Sequence, residues 1–563
     1  MPYHWPADTD YALWELDVLE RGCPVCGHLM YICDHRYRRI HTLDGPAQLV
    51  CKLNHCPDPR CPGHSKTKSP EIEASIAPPH WAIGWDVFCW IGHRRFSRHW
   101  AVPQIQGELL DDYGIKLSHD AISNYIHRYQ VMLAARQQDP EMLRRQYESV
   151  DELVLTIDGL QPEKGHETLY VVRELTQRRV WFAEALLSAT AQEVQRLITK
   201  AKEWAESLHK PVVLWISDKQ DAFVTGIAAE FPDVPHRYCD NHFLRDVAKP
   251  VLEADSHAKV QMRRKVRGLR KIERAVLERQ SVQASENFAA DDPEATVTVI
   301  VGPVNSPATE ADSASAVVLA YCAAVRGILN GDQGGPLHPP GLKMAEALNE
   351  VRESIQRNLD EEKGGFEEKQ LGRLAGCIDR GLEAVQAEQE EIREYVKDIE
   401  KVAATLEPGG ESCEDRQKKF KELIDRFERT GDPIRQHMAM LMISFLAGLF
   451  VGAGKFEEIK DNLDLERWFR LPKSHERRIH GHRHAGVRIV QDGPTLVLAR
   501  DAHIAHPGLF SSEDLLPYRT AQEPPCQREA LNRRKVMRKA RSKKKRPILL
   551  AELERRYRET PNF

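Results

Sequence analysis

The sequence has no hydrophobic run long enough to cross a membrane. Its most apolar stretch, residues 438–454 (MAMLMISFLAGLFVGAG), falls short of the roughly 18 uninterrupted apolar residues that a membrane-spanning helix needs, and its spacing is that of a core helix. The opening residues, MPYHWPADTD, lack the basic segment followed by an apolar segment that marks a secretory signal. We therefore expect a cytoplasmic protein with no membrane partner.

The sequence also lacks a large excess of charge of either sign. Its 80 Lys and Arg residues against 84 Asp and Glu residues give a formal net charge of −4, which excludes a uniformly basic surface for nucleic acid. Any site for a polyanion must therefore be local. The 563 residues allow several domains of about 150 residues, and 41% hydrophobic residues suffice for cores in most of them.

Cysteine is sparse except near the start of the chain. Of the 12 cysteines, seven precede residue 90 and are interleaved with histidines, which is typical of zinc binding in a reducing compartment. Cys23 and Cys26 have the CxxC spacing of a zinc knuckle, and Cys56 and Cys61 supply the second pair. The pattern predicts one structural Zn²⁺ in a zinc-ribbon domain over residues 1–69. Five further residues of this region remain alternative ligands: Cys51, His64, Cys33, His28 and His35.

Residues 80–147 have helical periodicity. Two amphipathic helices are separated at Tyr113-Gly114, and Ser118 is a suitable N-cap for the second. A helix, a glycine-containing turn and a second helix are the pattern of a helix-turn-helix DNA-binding domain. The second helix, residues 119–128, is expected to expose three residues toward DNA: Asn124, His127 and Arg128.

From residue 150 the periodicity changes to that of strands. The segments LVLTID, ETLYVVREL and RRVWFAEALL predict three neighbouring strands, followed by a helix, the strand PVVLWIS, a second helix, the short strand PHRYC and a long basic helix over residues 241–279. Asp158 and Asp218 each end a strand, so in a sheet where those strands are neighbours both carboxylates project from one edge. Such a pair suits two Mg²⁺ or Mn²⁺ ions in phosphoryl transfer, with a third acidic residue to complete the site.

The remainder of the chain reads as an insertion and a return to the α/β domain. Residues 281–314 have the composition of a linker, and apolar spacing over residues 371–406 with a partner helix after PGGES predicts a coiled-coil hairpin. A further apolar helix, DNLDLERWFR, a β-like region to about residue 516 and a basic tail follow. The tail carries eleven Lys and Arg residues against one acidic residue over residues 528–546.

These features together resemble the DDE-type DNA transposases, whose catalytic core has an RNase H-like fold. The resemblance is to bacterial insertion-sequence and Mutator-like transposases, through the strand order with its two aspartates, the CxxH motif of Cys239 and His242, and the segment DNLDLERWFR. It implies that Glu466 is the third acidic residue, with Glu457, Glu458 and Asp464 as rivals. It also implies an auxiliary role for Cys239 and His242, which could otherwise be half of a zinc site.

The resemblance implies a bacterial, nucleoid-associated enzyme that binds double-stranded DNA as a dimer or higher assembly. It would cut and join DNA with two Mg²⁺ or Mn²⁺ ions on Asp158, Asp218 and Glu466. Phosphate contacts are expected from the basic tail and from four residues after the third acid: Lys473, Arg477, Arg478 and Arg483. The alternatives are a transposase-derived DNA-binding regulator without catalysis and an RNase H-like nuclease that does not join strands.

The expected fold class is an α/β core with a mixed five-stranded sheet, a zinc ribbon, a helix-turn-helix domain and an all-α insertion. The corresponding segments are residues 1–69 (zinc ribbon), 80–147 (helix-turn-helix), 150–280 (first part of the core), 281–432 (linker and helical insertion), 433–490 (second part of the core) and 491–563 (C-terminal region and basic tail).

Overall fold

The fold was determined as a computed structural model, which describes most of the chain. The described residues are 5, 9–160, 166–188, 190–290, 314–452, 456, 459, 461–481 and 485–559. The chain divides into two compact units, of which unit 1 comprises residues 1–237 and 461–563 and unit 2 comprises residues 238–460.

Unit 1 begins with a small three-stranded sheet. Its strands are β1 (Ala12–Leu16), β2 (Tyr31–Thr42) and β3 (Gly45–His55). The order is β1-β3-β2, with β1 parallel and β2 antiparallel to β3. One face of this sheet buries Ile40, Leu49 and Cys51, while most of β2 is exposed. So small an apolar core leaves the segment in need of a further stabilising element.

Five helices follow this sheet. They are α1 (Glu73–Ile76), α2 (Trp85–Phe96), α3 (Val102–Asp111), α4 (His119–Gln137) and α5 (Pro140–Gln146). The predicted break between α3 and α4 is confirmed, since Gly114 takes a φ of 63° there, which a residue without a Cβ adopts at no steric cost. The predicted N-cap is also confirmed, because the Ser118 hydroxyl accepts the Ala121 amide at 3.2 Å.

The centre of unit 1 is the predicted mixed five-stranded sheet. Its elements, with the two helices that connect the later strands, are β4 (Leu153–Leu160), β5 (Thr168–Glu174), β6 (Arg179–Leu186), α6 (Ala191–Leu208), β7 (Val212–Ser217), α7 (Asp221–Glu230) and β8 (His236–Tyr238). The strand order is β6-β5-β4-β7-β8, with β4 to β6 antiparallel and β7 parallel to β4. The α/β fold class is therefore confirmed.

The last part of unit 1 is helical. It comprises α17 (Leu463–His480), α18 (Gly486–Ala505), α19 (Ser512–Leu515), a 3₁₀ turn (Leu516–Tyr518), α20 (Pro525–Arg541) and α21 (Arg546–Glu559), the labels α8 to α16 belonging to unit 2. Successive side chains of β4 and β5 point to opposite faces of the sheet, and each face is covered by a hydrophobic core. One lies against α6 and α7, and the other joins α2 to α4 with α17 and α18 over the opposite face of the sheet.

Unit 2 consists of helices. They are α8 (Asp240–Val247), α9 (Lys249–Lys265), α10 (Leu269–Ala290), α11 (Ala314–Leu329), α12 (Pro340–Leu359), α13 (Gly365–Glu383), α14 (Gln386–Leu406), α15 (Cys413–Arg429) and α16 (Pro433–Leu449). Apolar residues at helical spacing on α13 to α16 are buried, including Leu374, Ile399, Phe420 and Met442. In the described residues, no helix has the length and apolar character to span a membrane.

Three expectations about individual segments were wrong. The long basic helix over 241–279 is broken into α8, α9 and α10, because Pro250 starts a new helix and Gly268 takes a φ of 114°. The β-like region before residue 516 is the helix α18, whose Gly493 breaks the helical dihedrals and mimics a turn in the sequence. Residues 281–290, predicted to be linker, continue α10, whereas residues 291–313 lie outside the described part of the chain.

We predict that Gly92→Ala destabilises unit 1, because α2 packs against α4 at this glycine. A Cβ at residue 92 would lie 2.3 Å from the buried ring of Tyr129, so the substitution should cost about 1 to 3 kcal/mol of unfolding free energy. Gly107→Ala on α3 is the matched control, since its Cβ meets nothing within 4 Å and should stabilise by about 0.5 to 1 kcal/mol. Thermal melts of both variants check this; equal shifts would contradict it.

Candidate functional site

Two acidic residues lie at the same edge of the five-stranded sheet. In the parallel pair, Thr156 of β4 is in register with Ile216 of β7, so Asp158 and Asp218 follow two residues later at equivalent positions. Residues two apart on a strand share a face, and neighbouring strands lie about 4.8 Å apart. Both acids therefore project to the face that α17 covers. Both carboxylates raise the pKa of the Tyr170 hydroxyl, although burial of that tyrosine is the larger cause.

Glu466 comes to this edge from the first turn of α17. Its carboxylate and that of Asp158 lie within 4.8 Å of one another, and both side chains are half-buried. The Asp218 carboxylate does not lie within 4.8 Å of both of these carboxylates. It accepts a hydrogen bond from the Gln220 amide at 3.2 Å. Two carboxylates at this separation offer the oxygen ligands that Mg²⁺ and Mn²⁺ prefer.

The rival acids near Glu466 occupy different positions. Asp464 forms an ion pair with Arg173, whose Nε lies 2.8 Å from its carboxylate. Glu457 and Glu458 lie outside the described residues. Leu465, Trp468 and Phe469 are buried, so the helix is held by its apolar side while Glu466 faces the sheet edge.

A line of cations continues along α17 from Glu466. Arg470, Lys473 and Arg477 follow at intervals of four, three and four residues, which places them on the same face of the helix. Lys473 is half-buried, and burial lowers the pKa of its ammonium, while the nearby carboxylates of Asp158 and Glu466 act in the opposite direction. Arg478 is exposed, and Arg483 lies outside the described residues. The helix therefore presents a carboxylate followed by cations, an arrangement suited to a metal-bound phosphodiester.

Cys239 and His242 lie in unit 2. Cys239 is buried at the N-cap position of α8, and His242 follows in the first turn of that helix, where it is half-buried. Their CxxH spacing thus falls on a helix start.

The four cysteines selected from the sequence come together in the N-terminal module. The Sγ atoms of Cys23 and Cys61 are 3.8 Å apart, and those of Cys26 and Cys56 are 3.4 Å apart. Thiolates bound tetrahedrally at about 2.3 Å from Zn²⁺ lie about 3.8 Å from one another. Gly27, with a φ of 76°, provides the tight turn after the first pair. This cluster could bind a structural metal such as zinc.

The five alternative zinc ligands that were open from the sequence are not members of the four-cysteine group among the described residues. Cys51 is buried in the core of the small sheet, Cys33 donates to the Leu53 carbonyl at 3.3 Å, and the His64 ring contacts the Cys56 carbonyl at 2.6 Å. His28 contacts the Cys26 sulfur at 3.3 Å and lowers the pKa of that thiol to about 6. His35 is exposed on β2.

The face of α4 that was expected to read DNA is largely covered. His127 contacts Glu523, and Arg128 donates to the carbonyls of Ala521 and Arg519. Only Asn124, of the three residues singled out, is exposed. His127 and Arg128 are half-buried because residues 519–523 return to this helix, which a sequence pattern cannot show, and the His127 side chain remains 44% exposed.

Sequence reasoning missed the residues that fasten α17 to the sheet. Thr156 donates to the Asn462 side chain at 2.6 Å, and Arg173 pairs with Asp464. One signal was available, since Arg173 and Glu174 interrupt the apolar residues of the strand YVVREL, and a charged residue is rarely buried unless it is paired. Its partners could not have been identified, because they lie about 300 residues further along the chain.

Comparison of the chain with models of known protein families and with curated proteins finds no match. The function is therefore argued from the geometry of the acidic pair, the cationic helix face and the cysteine cluster.

We predict that the four-cysteine cluster holds one zinc ion per chain. Cys56→Ser should remove most of the bound zinc and lower the melting temperature of the N-terminal module, because structural zinc supplies folding free energy directly. Elemental analysis of purified protein measures the zinc content. Cys33→Ser is the matched control, since that thiol donates to the Leu53 carbonyl and is not in the four-cysteine group, so zinc should be retained. Full zinc content in the Cys56 variant would exclude this ligand set.

Proposed function

We propose that this protein is a DNA transposase of the DDE type, which binds the ends of a mobile element and catalyses metal-dependent strand cleavage and strand transfer. The observation that carries the proposal is the approach of Asp158 and Glu466 to within 4.8 Å, from positions 308 residues apart in the chain. The mixed sheet, with its first three strands antiparallel and the fourth parallel to the first, supports an RNase H-like core.

Asp158, Asp218 and Glu466 are the residues that would hold two Mg²⁺ or Mn²⁺ ions. Their donor set fits, since all three are carboxylates at one sheet edge, and Asp158 and Asp218 each follow the register partners Thr156 and Ile216 by two residues. Bound there, the ions would activate an attacking oxygen and stabilise the leaving oxygen of a phosphodiester. Cys239 and His242 remain proposed auxiliary residues.

Double-stranded DNA is the proposed substrate and partner. Lys473 and Arg477 lie on the same face of α17 as Glu466, so a phosphate backbone crossing the acidic pair would meet them next. The helix α20 adds a second basic surface. Its Arg533 pairs with Glu167, which is fully buried just before β5, and exposed cations such as Lys535 and Arg538 follow along the helix. Phosphate contacts of this kind carry affinity and not sequence specificity.

Recognition of the element ends is assigned to the N-terminal half of the chain. The cysteine cluster supports a zinc ribbon, and the helix pair α3 and α4 supports a helix-turn-helix, in which Asn124 is exposed and His127 and Arg128 are half-buried. We place the protein in the bacterial cytoplasm at the nucleoid, acting as a dimer or higher assembly on paired ends. The regulator and nuclease alternatives are outcomes of the first experiment below.

We predict that Glu466→Gln abolishes strand cleavage while DNA binding is retained, because the amide keeps the shape of the side chain but removes one anionic ligand. Purified protein is incubated with Mn²⁺ or Mg²⁺, a plasmid and labelled DNA from the flanks of its own gene. Nicking and joining that the variant lacks are the expected result. The matched control is Glu513→Gln, an acidic residue in the first turn of α19. Asp464, which is closer to Glu466, is unsuitable because its carboxylate pairs with Arg173.

The possible results separate the three functions. Cleavage without joining would indicate a nuclease, and specific binding without cleavage in either metal would indicate the regulator. A Glu466→Gln protein that still cuts DNA would exclude Glu466 as a ligand.

We further predict that Arg470→Ala weakens DNA binding at moderate salt. The slope of log affinity against log salt concentration should fall by about one, since each phosphate contact contributes about one released counterion. Arg429→Ala, an exposed arginine on α15 in unit 2, is the matched control and should leave the slope unchanged. Fluorescence anisotropy over a salt series measures both; an unchanged slope for the Arg470 variant would remove α17 from the DNA-binding surface.

A further inference from the structure

The start of α17 is attached to the sheet by a buried hydrogen bond. The Thr156 hydroxyl on β4 donates to the Asn462 side-chain oxygen at 2.6 Å, and both residues are completely buried. Asn462 is also the N-cap residue of α17, and its carbonyl accepts the Glu466 amide at 3.0 Å. One hydrogen bond thus fixes the residue one turn before Glu466 to the residue two before Asp158.

A buried arginine makes a second attachment beside the first. Arg173 on β5 is the register partner of Thr156, so the two side chains emerge next to each other on the face that α17 covers. Its Nε donates to Asp464 at 2.8 Å, and a second guanidinium nitrogen donates to Asp501 of α18 at 3.2 Å. Asp501 is in turn held by the Arg179 side chain at 3.1 Å. The orientation of the guanidinium group is therefore fixed from two sides.

The two attachments have the spacing needed to bring the acids together. Two residues of a strand advance by about 7 Å, which is the step from Thr156 to Asp158. Four residues of a helix advance by about 6 Å, which is the step from Asn462 to Glu466. With Asn462 held at Thr156 and the helix running along the strand, Glu466 arrives beside Asp158, as the separation of 4.8 Å or less requires.

We propose that Arg173 and Thr156 are positioning residues that hold the first turn of α17 in the place where Glu466 completes the metal site. The inference rests on the proposed function and deepens it. Neither residue is a catalytic residue, since each acts only through Asn462 or Asp464. Arginine is required because its planar group donates in two directions at once, whereas a lysine cannot hold Asp464 and Asp501 in this geometry.

The test begins with Asp464→Asn, which removes the helix end of the ion pair at a side chain that is 40% exposed and leaves Arg173 paired with Asp501. The affinity for Mn²⁺ alone, measured by calorimetry without DNA, should fall by about tenfold, the size of effect that outer ligand-orienting groups have. Hydrogen exchange should accelerate in the peptide that covers residues 463–470 and stay unchanged in β4 and α6.

Asp514→Asn is the matched control. Asp514 also lies in the first turn of a helix, α19, and pairs with Arg136 at 2.9 Å, so it loses an ion pair of the same kind away from the sheet edge. Its Mn²⁺ affinity should equal that of the wild-type protein. Arg173→Lys is the second variant, and it should reproduce the loss seen with Asp464→Asn although the positive charge is kept.

The outcomes distinguish this inference from the proposed function. Wild-type protein that binds no Mn²⁺, or that binds it as well after Glu466→Gln, would overturn the proposed function and this inference with it. Wild-type protein that binds Mn²⁺ through Glu466, with an unchanged affinity in Asp464→Asn and Arg173→Lys, would overturn the positioning role alone. A loss of affinity with faster exchange confined to the first turn of α17 would support it.

Discussion

The candidate site depends on the attachment of the first turn of α17 to strands β4 and β5. The chain leaves the sheet at β8, forms the whole of unit 2 and returns at residue 461. Loop closure entropy grows only with the logarithm of loop length, so a helical unit of this size adds little cost over a shorter connection. The position of Glu466 must then be fixed where the chain returns, and the Thr156–Asn462 and Arg173–Asp464 contacts do so within two residues of the helix start. A long insertion and an accurately placed carboxylate are thereby compatible.

Buried ion pairs orient helices against the sheet in unit 1. Unlike apolar packing, they cost desolvation free energy, because charged groups leave water. Arg173 and Asp501 are almost completely buried, and burial raises the pKa of the Asp501 carboxyl, while Arg179 and Arg173 oppose that effect. Removing a single partner of such a network leaves an uncompensated charge, so the network tolerates few arrangements of its helices. The small N-terminal sheet buries little apolar surface. There, a metal bound by the four clustered thiols would add folding free energy and hold the segments of the chain together.

The sequence was informative where a pattern is local. Strands β4 to β7 were predicted from their β-branched and aromatic residues. The position of Asp158 and Asp218 at one edge follows because β4 and β7 are parallel neighbours in register. CxxC spacing likewise selected the four cysteines that cluster. Prediction from the sequence failed where distant segments meet or where a single residue breaks an element. The contacts of His127 and Arg128 with residues 519–523 and the breaks at Pro250 and Gly268 are of this kind. The contacts of Arg173 belong with them, because no local periodicity encodes a partner about 300 residues away.

The approach of Asp158 and Glu466 carries an electrostatic cost that the proposed divalent cation would relieve. Two unit charges 4.8 Å apart repel by about 3 kcal/mol at an effective dielectric constant of about 20, before screening by water reduces this. The half-buried setting limits that screening, and Lys473 offsets only part of the repulsion, since burial disfavours its own charged form. The hydrogen bond of Thr156 with Asn462 and the ion pair of Arg173 with Asp464 hold Glu466 beside Asp158 against this repulsion. In the proposed function, Mg²⁺ or Mn²⁺ bound between the two carboxylates would offset this cost, because the same repulsion would become affinity for the ion.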